Sequence, residues 1–537
     1  MLANIFNRQI NSITIAAGLV AVFSLASRFL GIIRDRILAG EFGAGATLDI
    51  YYAAFRVPDL IFNLVVLGAL SAGFIPVFTS LLKNKEDSQA AWTLANNVLN
   101  YLLLGVGLLS LVGIIAAPAL VRLIAPGFSS ADQSLVVSLS RIMFLSPLFL
   151  GISGVFGGVL QSFKRFLVYS LAPIFYNLGI IIGALYFVDL WGVSGLAWGV
   201  VLGAILHMAV QIPTIYQLGF RYHWWIKTAD QNTKKIGRLM IPRTLSLAVA
   251  QINLVVITAI ASGLESGSLA VFNFANNLQS FPVGIFGISF AIAAFPALSA
   301  AAFDREALQA NFSRTLRQIF FFIIPATVFI IALRAQIIRV VLGTGNFSWQ
   351  DTILTMNTLG FFALSLFAQA ALPLLNRMFY ARHNSATPLY IGLVAVLANI
   401  VLALVLAPKL GVGGLALAFS LASILNFLLL WVWLSFSLGS LDIGNILNSV
   451  LKFTAAAILA GSVIQLVKLA VWPFIDMSRF SGVFIQLGAS LLAGSLIYLG
   501  VCYVLRSEEL AGFLAALKQR LPGGKLKIGD QGEARGL

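Results

Sequence analysis

The sequence has little charge, one cysteine and few histidines. Only 10% of its 537 residues are aspartate, glutamate, lysine or arginine, against about a quarter in ordinary soluble proteins. The single cysteine, Cys502, excludes an internal disulfide, and the three histidines are too scattered to form a metal site. No nucleophile stands beside a recognisable base. We therefore expect a protein that is not an enzyme and that needs neither a metal ion nor a cofactor.

Long apolar runs dominate the sequence, because 60% of the residues are hydrophobic. Residues 98–120 carry no charge over 23 positions, and residues 389–408 carry none over 20. A helix of about 20 residues crosses a hydrocarbon core of about 30 Å, whereas the strands of a membrane barrel alternate in polarity over about ten residues. The sequence therefore predicts an all-α, polytopic membrane protein.

Apolar runs bounded by charge, proline or glycine predict about fourteen transmembrane helices. Their centres lie near residues 22, 65, 106, 147, 178, 205, 250, 285, 326, 365, 398, 425, 460 and 493. If the N-terminus is cytoplasmic, the tails and the even-numbered connections hold 22 of the 34 basic residues. Cytoplasmic loops are enriched in lysine and arginine, so the sequence predicts that both termini are cytoplasmic. The net charge of +15 follows from this topology and does not indicate a nucleic-acid partner.

The chain repeats itself at an offset of 217 to 222 residues. Residues 120–134 resemble residues 337–352, residues 192–206 resemble residues 411–425, and Asn177 matches Asn399. Six predicted spans separate the matched segments, so both copies cross the membrane in the same direction. Such parallel repeats predict two six-helix lobes around a central cavity, related by an axis along the membrane normal.

The predicted spans and the repeat divide the chain into four parts. Residues 1–220 form the N-terminal lobe with spans 1–6, and residues 221–440 form the C-terminal lobe with spans 7–12. Residues 441–506 hold spans 13 and 14. In residues 507–537, apolar side chains at i, i+3, i+4 and i+7 predict a short interfacial helix, followed by a disordered basic tail from Pro522.

A cluster of charges lies in the first two spans. Arg28 and Asp35 are seven residues apart, as are Asp49 and Arg56, and a seven-residue step returns to nearly the same face of a helix. An arginine at the bilayer centre costs about 2.5 to 3.5 kcal/mol on insertion scales, so such charges face a partner or a watery cavity. We expect Arg28 and Arg56 to face the interior, whereas Arg36 marks the outer end of the first span. A cavity lined by arginines suits a phosphate or a carboxylate.

Several stretches carry a family resemblance, among them SRFLGIIRD at 27–35, FGAGATLD at 42–49, FRVPDL at 55–60 and FYARHNSATP at 379–388. In these stretches the sequence resembles the MurJ family, the lipid II flippases of the multidrug/oligosaccharidyl-lipid/polysaccharide exporter superfamily. The most specific of them is SRxLGxxRD, followed 14 residues later by the aspartate of GAGxxxD. The matching stretches extend over most of the chain.

The resemblance implies transport of lipid II, a peptidoglycan precursor linked to a polyprenyl pyrophosphate, from the cytoplasmic to the outer leaflet by alternating access. By motif match, the substrate-binding residues are Arg28, Arg34, Asp35 and Asp49, with Arg56 at a position that is commonly basic. The arginines would hold the pyrophosphate, and the aspartates would orient them or exchange partners between states. Spans 13 and 14 would form a groove for the lipid tail.

The resemblance also implies a place in the bacterial cytoplasmic (inner) membrane, with membrane lipids and cell-wall synthesis proteins as further partners. The chain departs from the family at Phe62, Asn63, Asn277 and Ser280, where charged residues are common. Two alternatives therefore stay open: a flippase for another polyprenyl-pyrophosphate-linked oligosaccharide, and a non-transporting membrane scaffold of the same fold. Head-group competition and a complementation test would separate them.

Overall fold

The computed structural model describes residues 13–67, 73–83, 88–226 and 230–520. Within those residues every regular element is a helix, and there is no strand. Long uncharged runs form helices because a helix satisfies its own backbone hydrogen bonds, as the hydrocarbon core requires. The predicted all-α, polytopic membrane class is confirmed.

The α-helices before residue 230 are α1 (Ile13–Phe42), α2 (Ala46–Ile61), α3 (Ile75–Lys83), α4 (Ser88–Ile124), α5 (Ser130–Met143), α6 (Ser146–Ser162), α7 (Phe166–Ile182), α8 (Val188–Trp191), α9 (Ser194–Ala209) and α10 (Ile212–Gln217). The later α-helices are α11 (Gln231–Ser262), α12 (Ser268–Pro282), α13 (Ser289–Ala300), α14 (Arg305–Val341), α15 (Trp349–Ala363), α16 (Leu366–Ala381), α17 (Ala386–Leu410), α18 (Val412–Leu438), α19 (Ile443–Val471), α20 (Phe480–Val504) and α21 (Glu508–Arg520). Three π-helical segments, Phe62–Leu67, Gly183–Phe187 and Val283–Ile288, and a short 3₁₀ helix, Trp472–Phe474, lie between them.

The described helices account for most of the predicted spans. Ten helical stretches are long and apolar enough to cross a membrane, and α15 with α16, which meet at 46°, make an eleventh if they count as one bent span. These eleven coincide with predicted centres. The other three centres, near residues 22, 65 and 250, lie in α1, in the π-helical segment after α2 and in α11. The total of fourteen spans stays a prediction.

Proline and π-helical geometry occur together in α2 and α12. Pro58 lies inside α2, and the π-helical segment Phe62–Leu67 follows. Pro282 ends α12, and the π-helical segment Val283–Ile288 follows. Proline lacks an N–H and crowds the carbonyl four residues earlier, so the hydrogen-bond pattern of the helix is disturbed near it. α2 does not end at Pro58, and its hydrogen-bond geometry changes four residues later, at Phe62.

Glycines bring α7 and α9 into backbone contact. A Cβ placed on Gly179 would lie 2.2 Å from the Cα of Gly203, and one placed on Gly183 would lie 2.4 Å from the Cα of Gly199. Only residues without side chains allow so close an approach, which is a common way to pack membrane helices. α7 packs on α1 as well, so this glycine seam helps to place the polar residues of α7 beside those of α1.

The first of two compact units comprises the described residues up to Leu278, together with Ile338–Phe362 and Gly392–Ala422. Its apolar core includes Phe74, Phe78 and Phe144, all fully buried. All five residues that the sequence assigns to the substrate belong to this unit. The lobe boundaries at residues 220, 440 and 506 stay predictions.

The second compact unit comprises Gln279–Ile337, Ala363–Ile391 and the described residues from Ser423 onward. Within it, Arg317 on α14 forms ion pairs with Glu508 at 3.0 Å and Glu509 at 2.9 Å, at the start of α21. A helix thus follows the last span, where the sequence predicts one, and its location at the membrane interface stays a prediction. The predicted disordered tail from Pro522 lies outside the described residues.

Candidate functional site

Arg34 and Asp35 on α1 form an ion pair that reaches two other helices. Arg34 Nε and Nη2 both donate to Asp35 Oδ1, at 3.1 and 2.8 Å. Arg34 Nη1 donates to Asn177 Oδ1 on α7 at 3.1 Å, and Asp35 Oδ2 accepts from Asn277 Nδ2 on α12 at 2.8 Å. Asp35 is only 5% exposed, so these donors stabilise its charge in place of water. One chain of polar side chains therefore joins α7, α1 and α12.

Arg56 on α2 is the second arginine of the site, and its partners are neutral. Its Nε donates to Thr258 Oγ1 on α11 at 2.7 Å, and its Nη2 donates to Asn273 Oδ1 on α12 at 3.2 Å. Among the residues that the structure describes, Arg56 forms no ion pair. Its positive charge is therefore not neutralised by direct contact, and a guanidinium group has further N–H donors for an anion.

Tyr52 adds an unused donor to this group, one helical turn before Arg56. Its hydroxyl is buried and has no hydrogen-bond partner in the described part of the chain. It interacts electrostatically with Arg34, Asp35 and Arg56. A buried polar group left without a partner costs about 1–3 kcal/mol. A ligand oxygen that accepted a hydrogen bond from Tyr52 would remove that cost.

Asp49 ties α2 to the start of α12. Its Oδ2 accepts from the N–H of Gly267 at 2.6 Å, and its Oδ1 accepts from the N–H of Ala270 at 2.8 Å. Since α12 begins at Ser268, the buried carboxylate lies at a helix N-terminus, where unpaired N–H groups and the helix dipole favour negative charge. Both oxygens of Asp49 are engaged, so this contact closes α2 against α12.

Arg28 lies apart from the other predicted site residues. Its side chain is exposed, whereas Asp35, seven residues later, is buried. Within the described ranges, Arg28 makes no hydrogen bond or ion pair. The structure therefore joins Arg34 to Asp35 and connects Asp35, Asp49 and Arg56 to α12 or its first turn, but it does not bring Arg28 into contact with them.

Arg36, which the sequence places at the outer end of span one, joins α1 to α14. Its Nη1 donates to the carbonyl oxygens of Val340 at 2.6 Å and Val341 at 3.3 Å. These carbonyls belong to the last turn of α14, where intrahelical partners run out and cations are favoured. The partners lie more than 300 residues away in the sequence, so the sequence around Arg36 does not indicate this contact.

Two turns of the repeat make equivalent contacts with turns of the other copy. The N–H of Gly127 donates to Ser262 Oγ at 3.0 Å, and a Cβ on Gly127 would lie 2.4 Å from the carbonyl oxygen of Ser262. In the other copy, the N–H of Asn346 donates to the carbonyl oxygen of Gly40 at 2.7 Å, and a Cβ on Gly345 would lie 2.3 Å from that oxygen.

These contacts follow the repeat in the sequence. Residues 120–134 contain Gly127, and the matching residues 337–352 contain Gly345. We call the two turn contacts, together with the contacts of Asp49, the turn junction. The matched segments therefore make corresponding contacts in each copy. The predicted topology assigns all of these turns to the outer side of the membrane.

Asp59 on α2 was missed by the sequence reasoning, although a signal for it exists. It follows Tyr52 by seven residues and Arg56 by three, a spacing that places all three on one face of the helix. Asn63 continues this face, and its Nδ2 donates to the carbonyl oxygen of Asp59 at 2.8 Å. Thr258 and Asn273 were missed as well, because nothing near them in the sequence indicates that Arg56 would reach them.

Together these groups suit an anion with several oxygen atoms. Two guanidinium groups, the Tyr52 hydroxyl and the Asn277 amide supply donors within one unit. Among the described residues there is no group of three His, Cys, Asp or Glu side chains that could hold a metal ion. The arrangement can bind and orient a ligand.

Known proteins match the chain over most of its length. The sequence model of the family described as "Lipid II flippase MurJ" matches residues 38–484. A probable lipid II flippase MurJ of Rhizobium tropici is 32% identical over 423 residues, which cover 76% of this chain and 79% of the relative.

Solved structures match the fold. A structure of lipid II flippase MurJ in an inward closed conformation aligns with a TM-score of 0.75 and 24% identity, covering 91% of this chain and 98% of the other. An inward-facing transporter of the multidrug resistance MATE family aligns with a TM-score of 0.65 and 16% identity, covering 77% of this chain and 95% of the other. At these identities the alignments show the fold alone.

Proposed function

The chain belongs to the MurJ family of lipid II flippases, and we propose that it moves lipid II from the cytoplasmic to the outer leaflet by alternating access. It is a multi-pass protein of the bacterial inner membrane and a transporter. We infer from the distribution of basic residues that both termini are cytoplasmic. Membrane lipids surround it, and we propose that cell-wall synthesis proteins act on the substrate it delivers.

Arg34 and Arg56 hold the diphosphate of the substrate in this proposal. The observation that carries it is the buried Tyr52 hydroxyl, which has no hydrogen-bond partner among the described residues and interacts with both arginines. A phosphate oxygen would accept from Tyr52, and the guanidinium N–H groups would bind the diphosphate in pairs. An anion would also offset the cost of placing the unneutralised Arg56 inside a membrane protein.

Asp35 positions Arg34 and competes with the diphosphate for it. Because Asp35 also accepts from Asn277, it keeps one donor when Arg34 turns to the substrate. Only its two hydrogen bonds from Arg34 are then lost, at about 1.5–3 kcal/mol each, and the bonds from Arg34 to the diphosphate offset that loss. Loading the diphosphate therefore breaks the pair between Arg34 and Asp35 and leaves the contact between Asp35 and Asn277 in place.

Asp49 and the turn junction keep the outer side closed until the substrate is loaded. The two hydrogen bonds of Asp49 at the start of α12 contribute about 3–6 kcal/mol together, before the cost of burying its charge is subtracted. Alternating access requires an element with two arrangements, one of which the ligand favours. The free energy of the Asp49 contact is similar to what the binding of a ligand can supply, so substrate binding can open it.

Arg28 and the last two spans complete the proposed path. The exposed Arg28 attracts the diphosphate by charge and passes it to Arg34, six residues further along α1. α19 and α20 offer the lipid tail an apolar groove while the head group crosses. The membrane potential supplies about 2.3 kcal/mol per charge per 100 mV to a moving anion.

A head-group competition assay tests the assignment of lipid II. The full-length protein in liposomes transports fluorescent lipid II, and the rate of that transport is measured. Unlabelled lipid II is added as a competitor in one series, and a polyprenyl-diphosphate-linked O-antigen oligosaccharide in the other. We expect lipid II to compete at least about tenfold better, which corresponds to about 1.4 kcal/mol. Equal competition would favour a flippase for another glycan, and absence of transport by the wild type would favour the scaffold.

A further inference from the structure

Asp59 is an acidic residue in a part of α2 that has little exposure to solvent. Between Leu48 and Ile61, no residue of α2 is exposed, and Asp59 itself is half-buried. In the part of the chain that the structure describes, its carboxylate accepts no hydrogen bond and forms no ion pair. Asp35 and Asp49 each have at least two donors. Of the three acids, Asp59 therefore has the least help in keeping its negative charge.

The charged and titratable groups around Asp59 are few. Arg56 on the same helix interacts with it electrostatically, without a direct ion pair, and so does Tyr176 on α7. Tyr176 also interacts with Arg34, so Asp59 lies within electrostatic range of the same group of residues.

The helices packed against α2 supply no further partner for Asp59 among the described side chains. On α1, Arg34 and Asp35 bind each other, as already described. On α5, Asp132 bonds to Ser129, and Arg141 donates to the Ile114 carbonyl. α6 has no titratable residue. Tyr101 and Arg122 on α4 and Lys234, Lys235 and Arg238 on α11 are exposed.

The balance of charge at the site changes when a diphosphate enters. Arg34 and Arg56 contribute two positive charges, whereas Asp35, Asp49 and Asp59 contribute three negative ones. A diphosphate diester adds about two more negative charges, since each of its phosphates ionises once. Burial weakens the screening of these charges by water, so the repulsion acts on the carboxylate with the fewest donors.

We propose that Asp59 takes up a proton when a diphosphate binds to Arg34 and Arg56, and returns it when the diphosphate leaves. The proton is released by the buffer acid, reaches the site through the solvent and adds to a carboxylate oxygen of Asp59, and no bond in the substrate changes. This inference rests on the proposed function. By linkage, a ligand that favours the protonated form of Asp59 binds more tightly when the proton is available.

Calorimetry of the full-length protein in detergent tests the proposal. The probe is farnesyl diphospho-N-acetylglucosamine, whose phosphates do not titrate near neutral pH. Binding heats measured in two buffers with different ionisation enthalpies give the number of protons taken up. We expect the wild type to take up about one proton per bound probe. In the pH range where Asp59 is ionised in the free protein and protonated in the complex, the affinity should fall about tenfold for each unit by which the pH rises.

Three variants separate the outcomes. Asp59→Asn should bind the probe with no proton uptake, and Asp59→Glu should keep the uptake because it still has a carboxyl group. Asp189→Asn, the same change at an exposed residue of α8, should behave as the wild type. If the wild type binds the probe without taking up a proton, or if Asp59→Asn still takes one up, the inference on Asp59 is wrong while the proposed function stands. If the wild type does not bind the probe, both fail.

Discussion

The two copies of the repeat make a contact at corresponding positions, but the side chains that form it are charged in one copy and neutral in the other. In the first copy, Arg34 on α1 donates to Asn177 on α7 at 3.1 Å. In the second copy, Asn399 on α17 donates to Asn253 on α11 at 2.8 Å. Asn253 follows Arg34 by 219 residues and Asn399 follows Asn177 by 222, which are offsets of the repeat. An ionised group in one copy thus corresponds to a neutral amide in the other.

The same contrast separates α2 from α12. α2 carries Asp49, Arg56 and Asp59, whereas α12 has no charged residue and presents Asn273 and Asn277 to the charges of the first copy. Amides both donate and accept, so they can stay bonded whether a facing arginine holds its aspartate or a phosphate. At this site the first copy of the repeat supplies the charged groups, and α12 supplies neutral partners.

Arg34→Ala should break this asymmetry and give the largest effect. The loss of a charged donor to the diphosphate costs about 1.5–3 kcal/mol, so affinity for a diphosphate probe should fall about 10- to 100-fold. Asn253→Ala removes the equivalent residue of the second copy and should change affinity by less than about threefold. Equal losses in the two variants would show that the copies share the ligand evenly.

Asp49→Asn should have the next largest effect, at the turn junction. The neutral amide keeps one acceptor but loses its charge, so the contact should weaken by about 1–2 kcal/mol. Hydrogen exchange at the amides of Gly267 and Ala270 should then quicken about 5- to 30-fold, as read by mass spectrometry. Asp304→Asn is the control, because Asp304 also accepts from a backbone N–H at the start of a helix, that of Ala307, but belongs to the other compact unit. Unchanged exchange in Asp49→Asn would contradict a role in closing α2 against α12.

Gly127→Ala should give the smallest effect of the three. Its Cβ would lie 2.4 Å from the carbonyl oxygen of Ser262, so the two turns must shift apart. Ser262→Cys, introduced as a reporter, should then react about threefold faster with a charged thiol reagent. Gly263→Ala is a control in the same contact, since its Cβ would meet only the carbonyl oxygen of Ile260 at 3.6 Å. Equal reactivity in both variants would show that the turns tolerate separation.

The helical class and most spans follow from the sequence because uncharged runs of 20 or more residues have few other solutions. The seven-residue spacing places Arg28 and Asp35 on one face of α1, yet Asp35 is buried and Arg28 is exposed, because residues two turns apart lie about 10 Å apart along the axis. The partners of Arg56 come from residues more than 200 positions away, and local periodicity carries no information about them. Asp59 could have been found, since it shares the face of Tyr52 and Arg56.

The glycine seam between α7 and α9 restricts where motion can take place. Backbones that touch at Gly179 and Gly203 cannot slide past each other without a clash, so α7 and α9 should translate as one rigid rod. A displacement of α1 along that rod would change the hydrogen bond between Arg34 and Asn177. The distance between a label on α7 and a label on α9 should stay constant through a transport cycle, whereas the distance from a label on α1 to either of them should change.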